Sequence, residues 1–364
     1  MKRSLKLLVS VAVSLGFVWL SLRGKDMGAV WAQIREANYL YLVPYFAILL
    51  AIHLVRTIRW GKLIEPLEKV PFARLNAVSA VGFMALVILP FRLGELARPY
   101  LIREPGKIRG TAAMASIVVE RVLDGLVVAG VLVVLLMRLP AGGGGREIAW
   151  VRAGGFGMFG FFAALLAFLC LAYWQKPLAM RLTRATFGRA SPSLAEKLCG
   201  MLDAFIGGLR ALPGLRSLSA IVFMTVLYWA LNGWGMQILA RAFGIQLSLV
   251  QAYTVLGVLV IGVMIPAGPG MAGTFQWFAQ LGLSLFLGAE AQAARASAYA
   301  NVLWGAQFVQ QVGLGMIFLF SRQLAHGHRV TFGELMHADE TMDEEAAPSG
   351  EVPPGGEPGI AIDG

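Results

Sequence analysis

The stretch Leu89-Pro-Phe-Arg-Leu-Gly-Glu-Leu-Ala-Arg-Pro-Tyr-Leu101 follows directly on an apolar run from Ala73 to Leu89. As a helix, that run would rise only about 25 Å, less than the ~30 Å hydrocarbon core of a bilayer. Pro90 lacks an amide donor and Gly94 tolerates backbone angles that other residues avoid, so the chain can stop and reverse at membrane depth. We interpret the segment as a re-entrant hairpin. The alternative is a short spanning helix followed by an interfacial charged loop.

The composition is that of a multi-pass membrane protein. Hydrophobic residues make up 57% of the 364 residues and charged residues only 14%, and the mean hydropathy is +0.68. We therefore expect an all-α membrane bundle of about six full spans plus two broken or re-entrant hairpins. The six spans are Leu5–Leu22, Tyr39–Ile58, Thr111–Met137, Gly154–Trp174, Leu218–Leu239 and Ala298–Phe320.

Basic residues predict how these spans are oriented. The net charge is +10, and the basic residues lie between apolar spans and not on one soluble face, which argues against a nucleic-acid partner. If the first hairpin returns to the cytoplasm, the basic clusters on both sides of it obey the positive-inside rule. We predict a membrane domain over residues 1–322 in the inner membrane of a bacterium, with both termini cytoplasmic. A mostly disordered tail, first basic and then acidic, follows over residues 323–364.

A second break, Pro266-Ala-Gly-Pro-Gly270, separates the apolar halves Val250–Ile265 and Met271–Leu287. Each half is short for a span, so we interpret them as a second hairpin that enters from the opposite side. Two short, tilted spans are the alternative. Two broken hairpins of opposite orientation are what an inverted repeat would produce, and such breaks near the midplane indicate a transport site.

The third predicted span carries three ionisable residues, Glu120, Arg121 and Asp124. Each would cost about 2.5–3.5 kcal/mol at the centre of an isolated spanning helix, so each needs a partner. Arg121 can pair with Asp124 three residues later. Glu120 is then left to meet Arg92 or Arg98 from the first hairpin.

The charged residues of the first hairpin should face a wet cavity, because non-helical backbone at membrane depth must be buried in protein or line water. These residues are Arg92, Glu95 and Arg98. The resulting cluster either only attaches the hairpin to the neighbouring helix or also faces a lipid headgroup. Intramembrane ionisable residues favour the second interpretation.

The second break offers backbone chemistry. A helix that starts near Met271, just after this break, would direct amide groups and a positive dipole end toward the midplane. Gly268, Gly270 and Gly273 would let a phosphate or carboxylate come close. Thr274 would add a hydroxyl and Gln276 an amide. The alternative is a Pro-Gly kink needed only for packing.

Three motifs in this order resemble the transmembrane region of lysylphosphatidylglycerol synthases, also called flippase-like integral membrane proteins. They are Pro90-Phe-Arg-Leu-Gly-Glu95 with Arg98, Glu120-Arg-Val-Leu-Asp124, and Pro266-Ala-Gly-Pro-Gly-Met-Ala-Gly273. The resemblance covers about Lys6 to Arg322. In the synthases this region is the translocase half, which moves an aminoacylated phospholipid across the membrane, while a separate soluble domain attaches the amino acid. The resemblance implies that this chain corresponds to that translocase half. That soluble domain is not expected here, because little sequence follows Arg322.

One departure from the family pattern concerns the second break. The family often has Pro-Gly-Gly-x-Gly-x-x-Glu, whereas this chain has Met271 for the second glycine and Gln276 at the acidic position. A missing carboxylate weakens the case for a cationic aminoacyl headgroup at this break. Relatives without the synthase domain are associated with varied lipids, including isoprenoid-linked and hopanoid types. The expected partner of this chain is therefore a membrane lipid of the phospholipid, isoprenoid-linked or hopanoid type.

We therefore expect a protein that moves a polar or anionic lipid headgroup between leaflets without catalysis, cofactor or metal. Two alternatives stay open. One is a non-catalytic membrane partner of a lipid-synthesis or cell-wall-synthesis enzyme complex. The other is a membrane-embedded lipid-modifying enzyme that uses Glu120 or Asp124 as a general base.

Overall fold

The structure is a computed structural model that describes residues 3–89, 94–103, 108, 110–137, 146–189, 191–211, 214–265, 267–287 and 293–320. The prediction of an all-α bundle is confirmed within these ranges, while the predicted tail over residues 323–364 lies outside them. The helices are α1 (Arg3–Leu22), α2 (Met27–Glu36), α3 (Leu42–Ile64), α4 (Phe72–Ile88), α5 (Ala97–Ile102), α6 (Gly110–Met137), α7 (Arg146–Trp174), α8 (Lys176–Phe187), α9 (Pro192–Ala211), α10 (Gly214–Arg241), α11 (Leu249–Val263), α12 (Thr274–Ser284) and α13 (Ala293–Leu319).

Each of the six predicted spans forms one long helix: α1, α3, α6, α7, α10 and α13. In the described part of the chain, four segments are long and apolar enough to cross a membrane, namely Tyr39–Ile64, Ala149–Trp174, Ser217–Arg241 and Ala293–Leu319. Large apolar side chains point outward from three of them, Phe161, Phe223 and Ile317 among them. An apolar outer surface on long helices is what lipid contact requires, and the protein is a multi-pass membrane protein.

Helix α3 ends later than the sequence predicts. A short 3-10 turn, Tyr39–Tyr41, leads into it, and the helix then continues to Ile64, six residues beyond the predicted end at Ile58. The extra turns are buried, with Arg59 and Trp60 both fully excluded from solvent. The extension therefore brings an arginine from a predicted basic loop into the bundle core.

The first break reverses the chain. α5 packs against α4, and Gly94 lies on the last turn of α4 so closely that a Cβ atom there would sit 2.0 Å from the Leu86 amide nitrogen and 2.2 Å from the Ala85 carbonyl carbon. Glycine is needed at this position because any side chain would collide with backbone. The predicted hairpin geometry is confirmed, whereas its re-entry into the bilayer stays a prediction. Residues 90–93, including Pro90, lie outside the described ranges.

The second break also joins two antiparallel helices, α11 and α12. Near the break, Gly262 faces the Phe278 ring, and farther from it Gly282 lies against the backbone of Val255. Two glycines in contact with the opposite helix let the pair approach closely. The chain reversal is thus confirmed here too, and the inverted orientation of the two hairpins stays a prediction.

The two hairpins meet around one long helix. α13 packs against α4 on one side and α12 on another, and the turn Pro269–Met271 of the second break contacts α4. α1 packs along α12 and contacts the second break from outside, where the Ser14 hydroxyl accepts a hydrogen bond from the Gly268 amide at 2.8 Å. The two interrupted segments therefore lie beside each other in the middle of the bundle.

We expect Gly94→Ala to lower the apparent melting temperature of the detergent-purified protein, because the new methyl group meets backbone that cannot move aside. Overpacking of this kind typically costs about 1–3 kcal/mol. Gly157→Ala in α7 is the matched control, since nothing lies within 4 Å of a Cβ atom there. Alanine should leave stability unchanged or raise it slightly at that helical position. Equal melting temperatures for the two variants would contradict the tight reversal at Gly94.

Candidate functional site

A buried ion cluster connects α3, α5 and α6. Glu120 of α6 is fully buried and accepts two hydrogen bonds from Arg98 of α5, each at 3.1 Å. Arg121, the next residue along α6, also donates to Glu120, and it forms an ion pair with Asp124 at 3.4 Å. The predicted contacts of Arg98 with Glu120 and of Arg121 with Asp124 are confirmed.

Arg59 is the centre of this cluster. Its guanidinium donates to both carboxylate oxygens of Asp124, at 2.6 and 3.1 Å, and lies 3.3 Å from Glu120. Thr225 of α10 accepts a further hydrogen bond from it at 3.1 Å. Trp229 of the same helix donates its indole N–H to Asp124 at 3.2 Å. A paired fork-like contact of this kind is the strongest that a guanidinium makes with a carboxylate.

Aromatic rings and one glycine hold Arg98 in place. The guanidinium lies 4.8 Å from the Phe83 ring centroid and 5.2 Å from that of Trp60, within the range of cation–π attraction. Its aliphatic stem crosses α4 at Gly82, where a Cβ atom would lie 2.2 Å from the Arg98 Cγ. The absence of a side chain at Gly82 therefore lets Arg98 of the first hairpin cross α4 and reach Glu120.

A cavity of about 450 Å³ lies between the two breaks, and we call it the central cavity. Its charged wall consists of Arg56, Glu95, Arg121 and Asp124. Aromatic side chains from α7, α10, α12 and α13 line much of the remainder: Phe161, Phe162, Tyr228, Trp229, Phe275, Trp304 and Phe308. Phe161 is 59% exposed on the outer face of α7, so the central cavity reaches the outer surface of the bundle there.

Arg56 differs from the three other described arginines at the centre of the bundle. Among the residues that the structure describes, no carboxylate lies within ion-pair distance of its guanidinium. Its charge is instead stacked 3.5 Å above the Phe83 ring centroid and lies 5.5 Å from that of Tyr228. A cation without a counter-ion in the described part of the chain thus faces the central cavity.

The structure separates the residues predicted for the site into two groups. Four of them line the central cavity: Glu95, Arg121, Asp124 and Gly270. Six do not: Arg98 and Glu120, which form the buried ion pair behind the wall, and Gly268, Gly273, Thr274 and Gln276, which pack into the protein around the second break. Arg92 lies outside the described residues. Ligand binding by any of these residues stays a prediction.

The predicted anion role of the second break meets an obstacle in this conformation. The Gly268 amide already donates to Ser14, and the Gly273 amide donates to the Gln276 side chain at 2.7 Å. α12 begins only at Thr274, whose hydroxyl is buried without a partner. An anion could use the two glycine amides only after their present acceptors had moved away.

Sequence reasoning missed Arg56 and Arg59. The positive-inside rule places both in the basic cluster at the cytoplasmic end of the predicted span Tyr39–Ile58, and every carboxylate of the third span already has a candidate partner. A usable signal was their three-residue spacing, which puts both guanidinium groups on one face if the helix continues. The hydroxyl of Thr225 and the indole of Trp229 carried no such signal, since single polar atoms in apolar spans are common.

Comparison with known proteins agrees with the predicted resemblance. The family model described as "Lysylphosphatidylglycerol synthase TM region" matches residues 7–313. The glycosyltransferase AglD of Haloferax volcanii is 26% identical over 273 residues, which cover 68% of this chain and 43% of that relative. The chain thus spans less than half the length of AglD. No solved structure matches the chain.

We expect Arg59→Gln and Asp124→Asn each to destabilise the protein by about 3–5 kcal/mol, because each leaves a buried charge with fewer partners. The double variant should lose about 1–3 kcal/mol less than the sum, which thermal unfolding in detergent would measure as a double-mutant cycle. Lys176→Gln is the control, because its pair with Asp203 is exposed and such pairs contribute about 0–1 kcal/mol. Additive effects of the two core substitutions would show that they do not interact.

The backbone conformation at Met271 explains why the family pattern has a glycine at this position. Its φ is +53°, in the left-handed region that costs most residues about 1–2 kcal/mol. Met271→Val should lower stability by about that amount, because β-branched side chains are especially disfavoured there, and Met271→Gly should cost less despite the lost side chain. Ala272→Val, at a φ of −58°, is the control. Thermal scans that rank valine above glycine at position 271 would contradict the strained backbone.

Proposed function

Because the chain belongs to the lysylphosphatidylglycerol synthase TM region family, we propose that it moves the anionic headgroup of a membrane lipid between leaflets through the central cavity. The acyl chains stay in the surrounding bilayer throughout. In this proposal the lipid is not chemically changed, so the chain acts as a transport protein and not as an enzyme. The membrane concerned is the cytoplasmic membrane of a bacterium, with both termini on the cytoplasmic side.

This proposal depends on the missing counter-ion of Arg56 in the described part of the chain. Arg59, Arg98 and Arg121 each form an ion pair with Glu120 or Asp124, and these five charges sum to +1. Arg56 has no described counter-ion and lines the central cavity. An uncompensated cation at membrane depth is costly, and an entering phosphate would supply the missing negative charge. The site thereby favours an anionic headgroup over a neutral or cationic one.

The size of the central cavity suits a headgroup and not a whole lipid. Its volume of about 450 Å³ lies within the usual range of small-molecule sites, roughly 300–1,000 Å³. The charged wall is opposed by aromatic side chains, so a ligand there would meet polar groups on one side and apolar rings on the other. Such a polarity difference within one site fits the boundary between headgroup and acyl chains.

A second, apolar groove supports a lipid over a soluble anion. It has a volume of about 220 Å³ between α6, α10 and α11, and its lining includes Val131, Val226 and Leu256. Val131 and Val226 are exposed on the outer surface, which in a membrane protein is the lipid face. Trp229 lines both this groove and the central cavity. A lipid with its headgroup beside Arg56 could therefore place an acyl chain along the groove.

The paired arginines have a different task in this mechanism. Glu120 and Asp124 hold Arg59, Arg98 and Arg121 in fixed positions, which keeps one wall of the cavity polar and rigid. A polar groove of this kind lowers the barrier for the headgroup, because a bare phosphate in hydrocarbon would lose its hydration without replacement. Transport of this type needs positioned charges but no nucleophile or proton transfer to the lipid.

We expect Arg56→Gln to slow lipid translocation at least tenfold, because the counter-charge for the phosphate is lost. The assay uses liposomes containing the purified protein and an anionic phospholipid with a fluorescent acyl chain, and a membrane-impermeant quencher reports how much lipid changes leaflet. Since Arg56 forms no described ion pair, the variant should keep the wild-type melting temperature, unlike Arg59→Gln. Arg184→Gln, at an exposed position on α8, is the matched control.

Three results would count against the proposal. Wild-type translocation at the rate of protein-free liposomes would contradict transport of the lipid tested. An unchanged rate in Arg56→Gln would remove that residue from the site. Recovery of a chemically altered lipid from the liposomes would favour an enzyme.

A second candidate function follows from the relative AglD, which is named a glycosyltransferase and extends well beyond the matched region. In this alternative, the chain is a membrane partner that presents a lipid-linked substrate to a separate sugar-transfer enzyme. The same liposomes distinguish the two candidates. A partner would bind the lipid in an Arg56-dependent manner but would not move it between leaflets until the enzyme was added.

A further inference from the structure

We propose that His53 takes up a proton when an anionic headgroup binds beside Arg56, so that lipid binding is coupled to protonation. This inference rests on the proposed function and adds a co-transported ion to it. The sequence contains no ATPase signature, and a proton gradient would provide the driving force for directed movement. His53 is the only histidine in the described part of the chain.

His53 is buried between three helices. It projects from α3 with 6% exposure, its Nε2 atom lies 2.9 Å from the Asn76 side-chain oxygen on α4, and its ring meets that of Phe83 edge-on. The hydrogen bond orients the imidazole, and the other ring nitrogen is then available to accept a proton. An oriented and ionisable ring inside a membrane bundle is a functional candidate by default.

A small cavity beside this ring shares two lining residues with the proposed headgroup site. Its volume is about 10 Å³, close to the space that one water molecule needs. Its polar lining consists of His53, Arg56, Gln310 and Gln311, and two of these, Arg56 and Gln311, also line the central cavity. A proton could therefore reach the imidazole through a single water in this cavity, which the glutamine side chains would hold by hydrogen bonds.

The charges around His53 determine the direction of the coupling. Arg56 is three residues further on α3, and it is the charged side chain that lines the small cavity together with His53. The other elements present neutral groups: Asn76 and Phe83 from α4, Gln310 and Gln311 from α13, and Tyr228 from α10, which lies over Arg56. Beyond Arg56, the guanidinium groups of Arg59, Arg98 and Arg121 are bound to Glu120 and Asp124.

A second positive charge on His53 is opposed by Arg56 as long as neither has a counter-ion. A phosphate beside Arg56 offsets that repulsion and attracts a protonated imidazole, so binding of the anion and binding of the proton favour each other. By linkage, lower pH must then strengthen lipid binding. Release of the headgroup on the more alkaline side of the membrane would release the proton as well.

The test uses the full-length protein in detergent, titrated with a short-chain phosphatidylglycerol by calorimetry at several pH values between about 5.5 and 8. A phosphodiester is chosen because it lacks the second ionisation that a phosphomonoester has near pH 6. We expect about tenfold tighter binding at the acidic end, in the range of ordinary coupling between sites. Titrations in buffers of different ionisation enthalpy should show proton uptake on binding.

His53→Asn should still bind the lipid but lose both the pH dependence and the proton uptake. The matched control replaces His326, His328 and His337 by Asn and should behave as the wild type. Two results would overturn the coupling while leaving the proposed function intact. One is pH-independent wild-type binding that Arg56→Gln abolishes. The other is a His53→Asn variant that keeps the pH dependence, which would assign it to a carboxylate such as Glu95. No wild-type binding at any pH would overturn both proposals.

Discussion

Three adjacent charges on one membrane helix constrain the rest of the bundle. Glu120, Arg121 and Asp124 carry a net negative charge in the core of α6, and burial without partners would cost several kcal/mol for each ion. Arg59 from α3 and Arg98 from α5 pair with these carboxylates and bring the five charges to a net +1. Both arginines must therefore reach the same point, which requires α3 to continue past its apolar part and the first hairpin to turn back onto α4. Gly82 and Gly94 make that approach sterically feasible.

The same cluster explains why the wall of the central cavity includes an arginine without a described ion-pair partner. Glu120 and Asp124 bind the three other central arginines, and Arg56 has no described ion-pair partner although it lies only three residues before Arg59. Aromatic faces stabilise it instead, and cation–π contacts of this kind leave the hydrogen-bonding edge of a guanidinium open to a ligand. In the proposed function, structural and ligand-binding charges are thus separated within one polar region. The proposed coupling to His53 depends on that separation.

The sequence predicted the helices and the two breaks well. Apolar runs of adequate length have few alternatives to helix in a membrane, and the Pro-Gly breaks mark where a helix must stop. It also predicted that Arg98 would meet Glu120, because a buried carboxylate needs a cation and few cations lay nearby. It failed at Arg59, since a helix end cannot be located from hydropathy when charged residues continue the helix into the core. The predicted anion role for the amides of the second break stays a prediction, and in this structure Ser14 and Gln276 accept hydrogen bonds from two of them.

By itself, the sequence therefore determined the all-α membrane architecture, the position of both chain reversals and the need to neutralise three charges on α6. Only the tertiary structure decided which arginines pair with the carboxylates of α6 and which arginine has no described ion-pair partner. Arg56 and Arg59 have the same chemistry and neighbouring positions on one helix face. Their different roles arise from neighbours on α4, α6 and α10 that are distant in sequence, because a guanidinium acts as a structural ion or as an anion site according to what packs against it.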